Sequence, residues 1–124
     1  EADPLDPRSA WVVDALRAGE PITLFTDEIR GPIRADDLAR QLWDLVALPR
    51  AERAGPWHLV GPEPLSRHEL GVLLAAAHGV DPAGITAAQS RDLPDPRPRD
   101  LTLTDARAAA ALPTRPRPVG TLWG

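Results

Sequence analysis

Arginine side chains in stiff loops are the residues of this chain whose types and spacing could do chemistry. Arg30 follows a short run that favours a strand and a turn, and Arg97 and Arg99 lie in a segment, residues 91–99, that contains three prolines. A planar guanidinium can donate two parallel hydrogen bonds to phosphate oxygens, and a proline-rich loop has little backbone freedom to lose on ordering. The pattern is compatible with a phosphate site and also with solvated surface arginines, which residue chemistry alone favours.

Other reactive constellations are missing from the sequence. His58, His68 and His78 recur every ten residues, a spacing that fits neither the i, i+4 pair of a helical zinc site nor other common ligand spacings. Asp36 and Asp37 stand where a helix favours negative charge at its start, so we expect them to cap that helix. No G-x-S-x-G, P-loop or G-x-G-x-x-G motif occurs. The sequence therefore predicts no metal site, no catalytic residue and no cofactor-binding residue on this chain.

Composition narrows the class of protein. The 124 residues carry a net charge of −4, which argues against a general nucleic-acid binder because no surplus of basic side chains exists to displace counterions. There is no Cys, and no run approaches the ~20 apolar residues that cross a membrane. We therefore expect a cytoplasmic protein that contacts neither nucleic acid nor membrane. The chain also has no Met to initiate it, so we expect a piece of a longer protein.

Caps and hydrophobic periodicity predict the elements that must position the arginines. Asp6 before Pro7 is typical of a helix start, and Ser66 to Glu69 fits the S-x-x-E capping box. The resulting alternation of helices and strands predicts an α/β fold with short strands. One helical face, predicted to be buried, carries Leu38, Leu42, Leu45 and Val46. The predicted helices cover residues 7–18, 36–48, 66–77 and 104–112, and the predicted strands cover 21–25, 29–34, 57–60, 85–90 and 101–103.

Four motifs extend this prediction to a family. They are GEPITLF at residues 19–25, RGPIRADDLA at 30–39, WHLVGPEPLSRHEL at 57–70 and RPRDL at 97–101. In this order they resemble the C-terminal half of extended short-chain dehydrogenases/reductases, and they are most similar to the substrate-binding part of dTDP-4-dehydrorhamnose reductase-like proteins. The resemblance implies that residues 1–124 form the C-terminal substrate-binding lobe of a Rossmann-type protein. The N-terminal dinucleotide-binding Rossmann domain would then be absent from this chain.

The resemblance also implies a substrate and a place for it. In this family the N-terminal half binds NADP or NAD and carries a Tyr-x-x-x-Lys catalytic pair, while the C-terminal half closes over a nucleotide-sugar. By similarity with the sugar-nucleotide epimerases, Arg30 and Arg97 match two arginines that grip the substrate diphosphate. Phe25 falls where an aromatic ring can stack on the base, and Thr23 falls where the backbone can meet it.

The sequence departs from the family in a respect that bears on activity. It contains no Tyr and no Lys, so the catalytic pair cannot lie in this chain, and we expect the chain alone to be inactive. Whether the parent protein is an enzyme stays open. The resemblance favours part of an NAD(P)-dependent sugar-nucleotide reductase; the alternatives are a fragment of an epimerase or dehydratase and a non-catalytic regulatory or binding relative. A lobe parted from its Rossmann half would expose apolar surface, so self-association is a further expectation.

Overall fold

The computed structural model describes residues 4–121, in which helices and short strands alternate along the chain. The predicted α/β class is confirmed. The described residues form two compact units: the first unit comprises residues 4–30 and 65–101, and the second unit comprises residues 31–64 and 102–121. The helices are α1 (Pro7–Arg17), α2 (Ala35–Ala47), α3 (Arg67–Ala77) and α4 (Ala106–Ala111), and the strands are β1 (Ile22–Phe25), β2 (Ile29–Arg30), β3 (Leu65–Ser66) and β4 (Ile85–Ala88).

A two-stranded parallel sheet of β1 and β4 lies at the centre of the first unit. Successive residues of a strand face opposite sides, and in β1 this places Ile22 and Leu24 inward, while Thr23 is exposed and Phe25 is half-buried. Both α1 and α3 contact β1 and each other. Thr23 and Phe25 therefore share the face of β1 opposite the core. The helices contribute the remaining apolar core residues Val12, Val13, Ala15, Leu74 and Ala75.

Side-chain caps set the starts of α1 and α3 as the sequence predicted. Asp6 Oδ1 accepts hydrogen bonds from the backbone N–H groups of Arg8 at 3.0 Å and Ser9 at 3.3 Å. At α3 the capping box is complete, because the Glu69 N–H donates to Ser66 Oγ at 3.0 Å and the Ser66 N–H donates to Glu69 Oε2 at 2.7 Å. These bonds satisfy amides that a helix start leaves without partners. The predicted helices 7–18 and 66–77 are confirmed to within one residue.

A small antiparallel pairing joins the other two strands of the first unit. β2 pairs with β3, so that Ile29 lies opposite Ser66 and Arg30 opposite Leu65. The extended segment predicted over 29–34 is therefore a strand only at its first two residues. The strand predicted over 101–103 is wrong; in its place Asp100 forms an isolated parallel bridge with Ile29. This bridge holds the end of the proline-rich loop against β2.

The second unit buries a polar face of α2 where an apolar face was predicted. Leu42 is 48% exposed and Val46 is 57% exposed, whereas Asp37 and Gln41 are buried. The reason lies in the segment after α4, where main-chain groups need partners: the Thr114 N–H donates to an Asp44 carboxylate oxygen, and Thr114 O accepts from Gln41 Nε2. Hydrogen bonding, which hydrophobic periodicity does not register, selects the inward face of this helix.

Several smaller predictions for the second unit are wrong. The strand predicted over residues 57–60 is not formed. The chain directly after it lies so close to the segment before α2 that a Cβ atom on Gly61 would meet Pro32 O. The helix predicted over 104–112 begins two residues later, after Asp105, since α4 covers Ala106–Ala111. Trp43 is 74% exposed and Trp11 is 52% exposed, so neither side chain belongs to the core. Trp123 lies outside the described residues. Within residues 4–121 no helix has the length and apolar character needed to span a membrane.

Candidate functional site: an arginine cluster on a buried glutamate

Glu28 is the centre of an arginine cluster in the first unit. It lies in the turn between β1 and β2 and is 3% exposed. Its Oε2 accepts a hydrogen bond from Arg67 Nε at 2.6 Å and its Oε1 accepts one from Arg97 Nη1 at 3.3 Å, while Arg30 Nη2 lies 3.9 Å from Oε2. Burial of a carboxylate is costly unless cations and donors surround it. We call these four residues the Glu28 cluster.

Arg97 and Phe25 contact each other directly. The guanidinium carbon of Arg97 lies 5.5 Å from the centroid of the Phe25 ring, within the range of a cation–π interaction. The Arg97 side chain is nevertheless 46% exposed, so its contact with Glu28 does not enclose the guanidinium. Thr23, two residues earlier in β1, lies on the same face as Phe25 and is exposed. The structure thus brings Phe25, Arg97 and Arg30 together and places Thr23 farther along the same face.

Arg30 ties the proline-rich loop to β2. Its Nη1 donates to the carbonyl oxygens of Ile29 at 2.7 Å and Arg99 at 2.8 Å, and its Nη2 donates to Pro98 O at 3.2 Å. The backbone makes a parallel connection, because the Ile29 N–H donates to Arg99 O at 2.8 Å. The Arg30 side chain is 27% exposed. Main-chain carbonyls therefore use most of the Arg30 donors, and the side chain fixes the loop that carries Arg97.

Arg67 is the member of the cluster that sequence reasoning missed. It is the first residue of α3, directly after the capping Ser66, and its side chain is 33% exposed. It is tied to Glu28 twice, since its backbone N–H donates to Glu28 O at 3.0 Å and its Nε donates to the carboxylate. Nothing in the local sequence pairs two residues that stand 39 positions apart. The capping box is the available signal, because it fixes the first turn of α3 and so the place of Arg67.

Asp27 fixes the start of the loop on the other side of the cluster. Its two carboxylate oxygens accept hydrogen bonds from the N–H groups of Ser90 at 2.7 Å and Arg91 at 3.0 Å. Desolvation raises the pKa of Asp27, but these two donors outweigh it and hold the pKa below its usual value. Thr26 adds hydrogen bonds to Ala88 O from its N–H at 2.9 Å and from its hydroxyl at 3.2 Å. The end of β1 is therefore anchored at the turn from which the proline-rich loop departs.

A second charged cluster, in the second unit, serves the fold. Arg117 donates from Nη2 to Asp37 Oδ1 at 2.7 Å and from its backbone N–H to Asp37 Oδ2 at 2.9 Å, and Nη2 also reaches Asp36 Oδ2 at 2.8 Å. The side-chain hydrogen bonds from Arg117 hold the pKa of Asp37 below its usual value, against burial, which raises it. The residue before α2, Arg34, makes no side-chain cap. Asp36 and Asp37 lie in the first turn of α2, as predicted, but both carboxylates bind Arg117 in place of capping the helix.

The electrostatics of the Glu28 cluster favour an anionic ligand. Three guanidinium groups and one carboxylate leave a net charge of about +2, since arginine stays protonated throughout the ordinary pH range. Exposed guanidinium N–H groups bind phosphate oxygens in charge-assisted pairs. Within residues 4–121 no group of three His, Cys, Asp or Glu side chains could hold a metal ion. The cluster is therefore suited to bind an oxyanion.

Comparison with known proteins points to one family. The family model described as "RmlD substrate binding domain" matches residues 9–119, which include the whole Glu28 cluster. The fold also matches the crystal structure of a hypothetical dTDP-4-dehydrorhamnose reductase from Sulfolobus tokodaii, with a TM-score of 0.67 and 27% sequence identity. That match covers 86% of this chain but 37% of the other, so this chain spans well under half the length of that protein. No curated protein matches the chain significantly.

Proposed function

We propose that this chain, which belongs to the RmlD substrate-binding domain family, is the nucleotide-sugar-binding part of a sugar-nucleotide reductase. The observation that carries the proposal is the Glu28 cluster, which gathers three arginines beside an aromatic ring on one face of the first unit. A nucleotide-sugar offers a diphosphate with two negative charges and a flat base. The Glu28 cluster has a net positive charge of the same magnitude, and an aromatic ring lies beside it.

The roles of the individual residues follow from their contacts. Arg97 contacts the diphosphate, because its guanidinium remains half-exposed after it has bound Glu28. Arg30 contributes its positive charge and holds the loop, since its donors engage main-chain carbonyls. Phe25 and the guanidinium above it form a flat platform on which a base can stack. Thr23 meets the base from the exposed side of β1.

The chemistry of reduction belongs to a part of the parent protein that this chain does not contain. The chain has no Tyr and no Lys for the catalytic pair that the family resemblance implies. The described residues do not fit a dinucleotide either, because β1 leads into the residues Thr26 to Arg30, which include no glycine, and not into a glycine-rich turn. We infer that NADP or NAD is bound by a separate Rossmann half, and that the chain alone has no reductase activity. Turnover of NADPH with a 4-keto nucleotide-sugar, followed by absorbance, tests this inference.

A reductase is preferred to an epimerase or dehydratase because the solved structure that this fold matches carries the name of a reductase. A cytoplasmic location is part of the same proposal and rests on the NAD(P)-dependent class of enzyme to which the resemblance points. An assay of the intact parent protein decides among these activities. A reductase consumes NAD(P)H in proportion to the product formed, an epimerase forms product without net consumption of NAD(P)H, and a regulatory relative forms no product.

Calorimetric titration with dTDP tests the binding role. Arg97→Ala removes charge-assisted hydrogen bonds worth about 1.5–3 kcal/mol and is expected to weaken binding by roughly ten- to a hundredfold. Arg97→Lys recovers part of that loss, because an ammonium keeps the charge and loses the planar fork. Arg50→Ala is the matched control, since Arg50 is an exposed arginine for which the described residues provide no hydrogen bond or ion pair. Equal affinity of Arg97→Ala and Arg50→Ala would overturn the proposed function.

A further inference from the structure

We propose that Arg67 is a second diphosphate-binding arginine beside Arg97, and that the buried Glu28 is the positioning residue that holds both guanidinium groups in place. This inference rests on the proposed function and assigns that site two residues to which the family resemblance gave no role. It follows from how the donors of each arginine are used.

The three arginines of the cluster are engaged to different degrees. Arg30 donates both Nη1 hydrogens and one Nη2 hydrogen to main-chain carbonyl oxygens. Arg67 binds Glu28 through Nε alone, and Arg97 binds Glu28 through Nη1 alone. Within the described residues the two Nη groups of Arg67 make no hydrogen bond, and its side chain is 33% exposed. Arg67 and Arg97 therefore keep donors for a ligand, whereas Arg30 has few left.

Glu28 is placed to set the direction of both guanidinium groups. Its two oxygens are divided between them, Oε2 to Arg67 at 2.6 Å and Oε1 to Arg97 at 3.3 Å. The carboxylate itself is held, since it is buried and its backbone carbonyl accepts the Arg67 N–H. A long arginine side chain otherwise loses rotamer freedom when it binds a ligand. Fixing that freedom before the ligand arrives favours binding through preorganisation.

Charge and positioning make opposite predictions for the loss of Glu28. Glu28→Gln keeps the size and an acceptor oxygen but removes the negative charge, so the cluster changes from about +2 to about +3. Simple attraction of an anion would then be stronger. If Glu28 acts by orienting Arg67 and Arg97, binding becomes weaker in spite of the added positive charge, because a neutral amide holds a guanidinium less firmly than a carboxylate does.

Titration of the 124-residue chain with dTDP-glucose decides between these outcomes. Arg67→Ala is expected to weaken binding about tenfold or more, and Glu28→Gln is expected to weaken it about three- to tenfold. Arg67→Lys keeps a positive charge beside Glu28, so the fold is retained if Arg67→Ala does not fold, and about tenfold weaker binding is expected because the second donor edge is lost. Arg17→Ala, an exposed arginine at the end of α1, is the control and leaves the affinity unchanged.

Each outcome bears on one proposal or the other. If the wild-type chain binds and Arg97→Ala weakens binding while Arg67→Lys and Glu28→Gln bind like wild type, this inference is wrong and the proposed function stands. Tighter binding by Glu28→Gln would show that the carboxylate acts only as a repulsive charge, and it would also overturn the inference. If neither wild type nor any variant binds dTDP-glucose, the proposed function itself fails.

Discussion

Replacement of Asp37 by Asn is the sharpest perturbation of the second unit. Asp37 is 1% exposed and accepts hydrogen bonds from Arg117 Nη2 at 2.7 Å, Arg117 Nε at 3.1 Å and the Arg117 backbone N–H at 2.9 Å. These bonds join the first turn of α2 to a segment 80 positions later. Asn has the same size but no charge, so it breaks the ion pair without creating a cavity.

The expected cost can be worked from burial. Removing one partner of a fully buried ion pair typically costs about 3–5 kcal/mol. Here the Arg117 side chain is 43% exposed and can be solvated once Asp37 is gone, so we expect the lower value of about 2–3 kcal/mol. Asp36 is the matched comparison, because it binds the same Nη2 at 2.8 Å but is 37% exposed. Asp36→Asn is expected to cost much less than Asp37→Asn, because ion pairs between solvent-exposed groups contribute little.

Urea denaturation followed by circular dichroism measures both costs. The expected result is a lower midpoint for Asp37→Asn than for Asp36→Asn, with similar slopes, since the exposed area on unfolding is unchanged. Asp95→Asn, in the exposed proline-rich loop, gives the baseline for a surface carboxylate. A loss below about 0.5 kcal/mol for Asp37→Asn, which is the usual range for surface substitutions, would refute the conclusion that this buried contact holds α2 in place.

Two further predictions concern pH and assembly. Hydrogen bonds from Arg117 hold the pKa of Asp37 below its ordinary 3.8, so the stability this pair adds is present above pH ~4 and is lost as the pH falls below it; acid titration of the urea midpoint should therefore show a larger loss in wild type than in Asp37→Asn. A flat acid limb in wild type would contradict this. The outer face of α2 exposes Leu42, Trp43 and Val46 together, so we expect two copies of the chain to associate through it. Light scattering should show a smaller mass for Trp43→Glu than for the control Trp11→Glu, whose tryptophan is also exposed. A monomeric wild type at high concentration would contradict the predicted contact.

Local signals made the first unit predictable. Two helices are capped by hydrogen bonds between residues two or three positions apart, from Asp6 in one case and from the pair Ser66 and Glu69 in the other. Such caps can be predicted from one short stretch of sequence. The strand containing Phe25 likewise alternates between buried and exposed residues. These features depend on residues that are close together in the sequence. The helices and the parallel strands of this unit were accordingly predicted close to their observed bounds.

Distant partners made the second unit and part of the site unpredictable. Periodicity treated Leu42 and Val46 as core, but the inward face of α2 is selected by Arg117 and Thr114, which lie some seventy to eighty positions away. The same holds for Glu28, whose burial becomes favourable only when Arg67 and Arg97 arrive from separate elements. Charged residues are predicted to be exposed unless their partners are known.

The family motifs identified Arg30 and Arg97 but did not distinguish their roles. Both were expected to grip a diphosphate, and the structure shows Arg30 bound to main-chain carbonyls while Arg97 remains half-exposed over Phe25. The predicted binding roles of Thr23, Phe25, Arg30 and Arg97 stay predictions. What the structure adds is the order in which their substitution should matter.

Nitrogen-15 NMR of the 124-residue chain titrated with dTDP tests whether the Glu28 cluster binds a nucleotide diphosphate, because it locates the ligand without altering any residue. We expect saturable shifts of the Nε–H signals of Arg67 and Arg97 and of the backbone amides of β1, Arg97 and Arg99, all in the first unit. Thymidine, which lacks the diphosphate, should leave the two arginine signals unchanged. Shifts confined to the second unit, or no saturable shift at the Glu28 cluster, would contradict the assignment of this site to a nucleotide diphosphate.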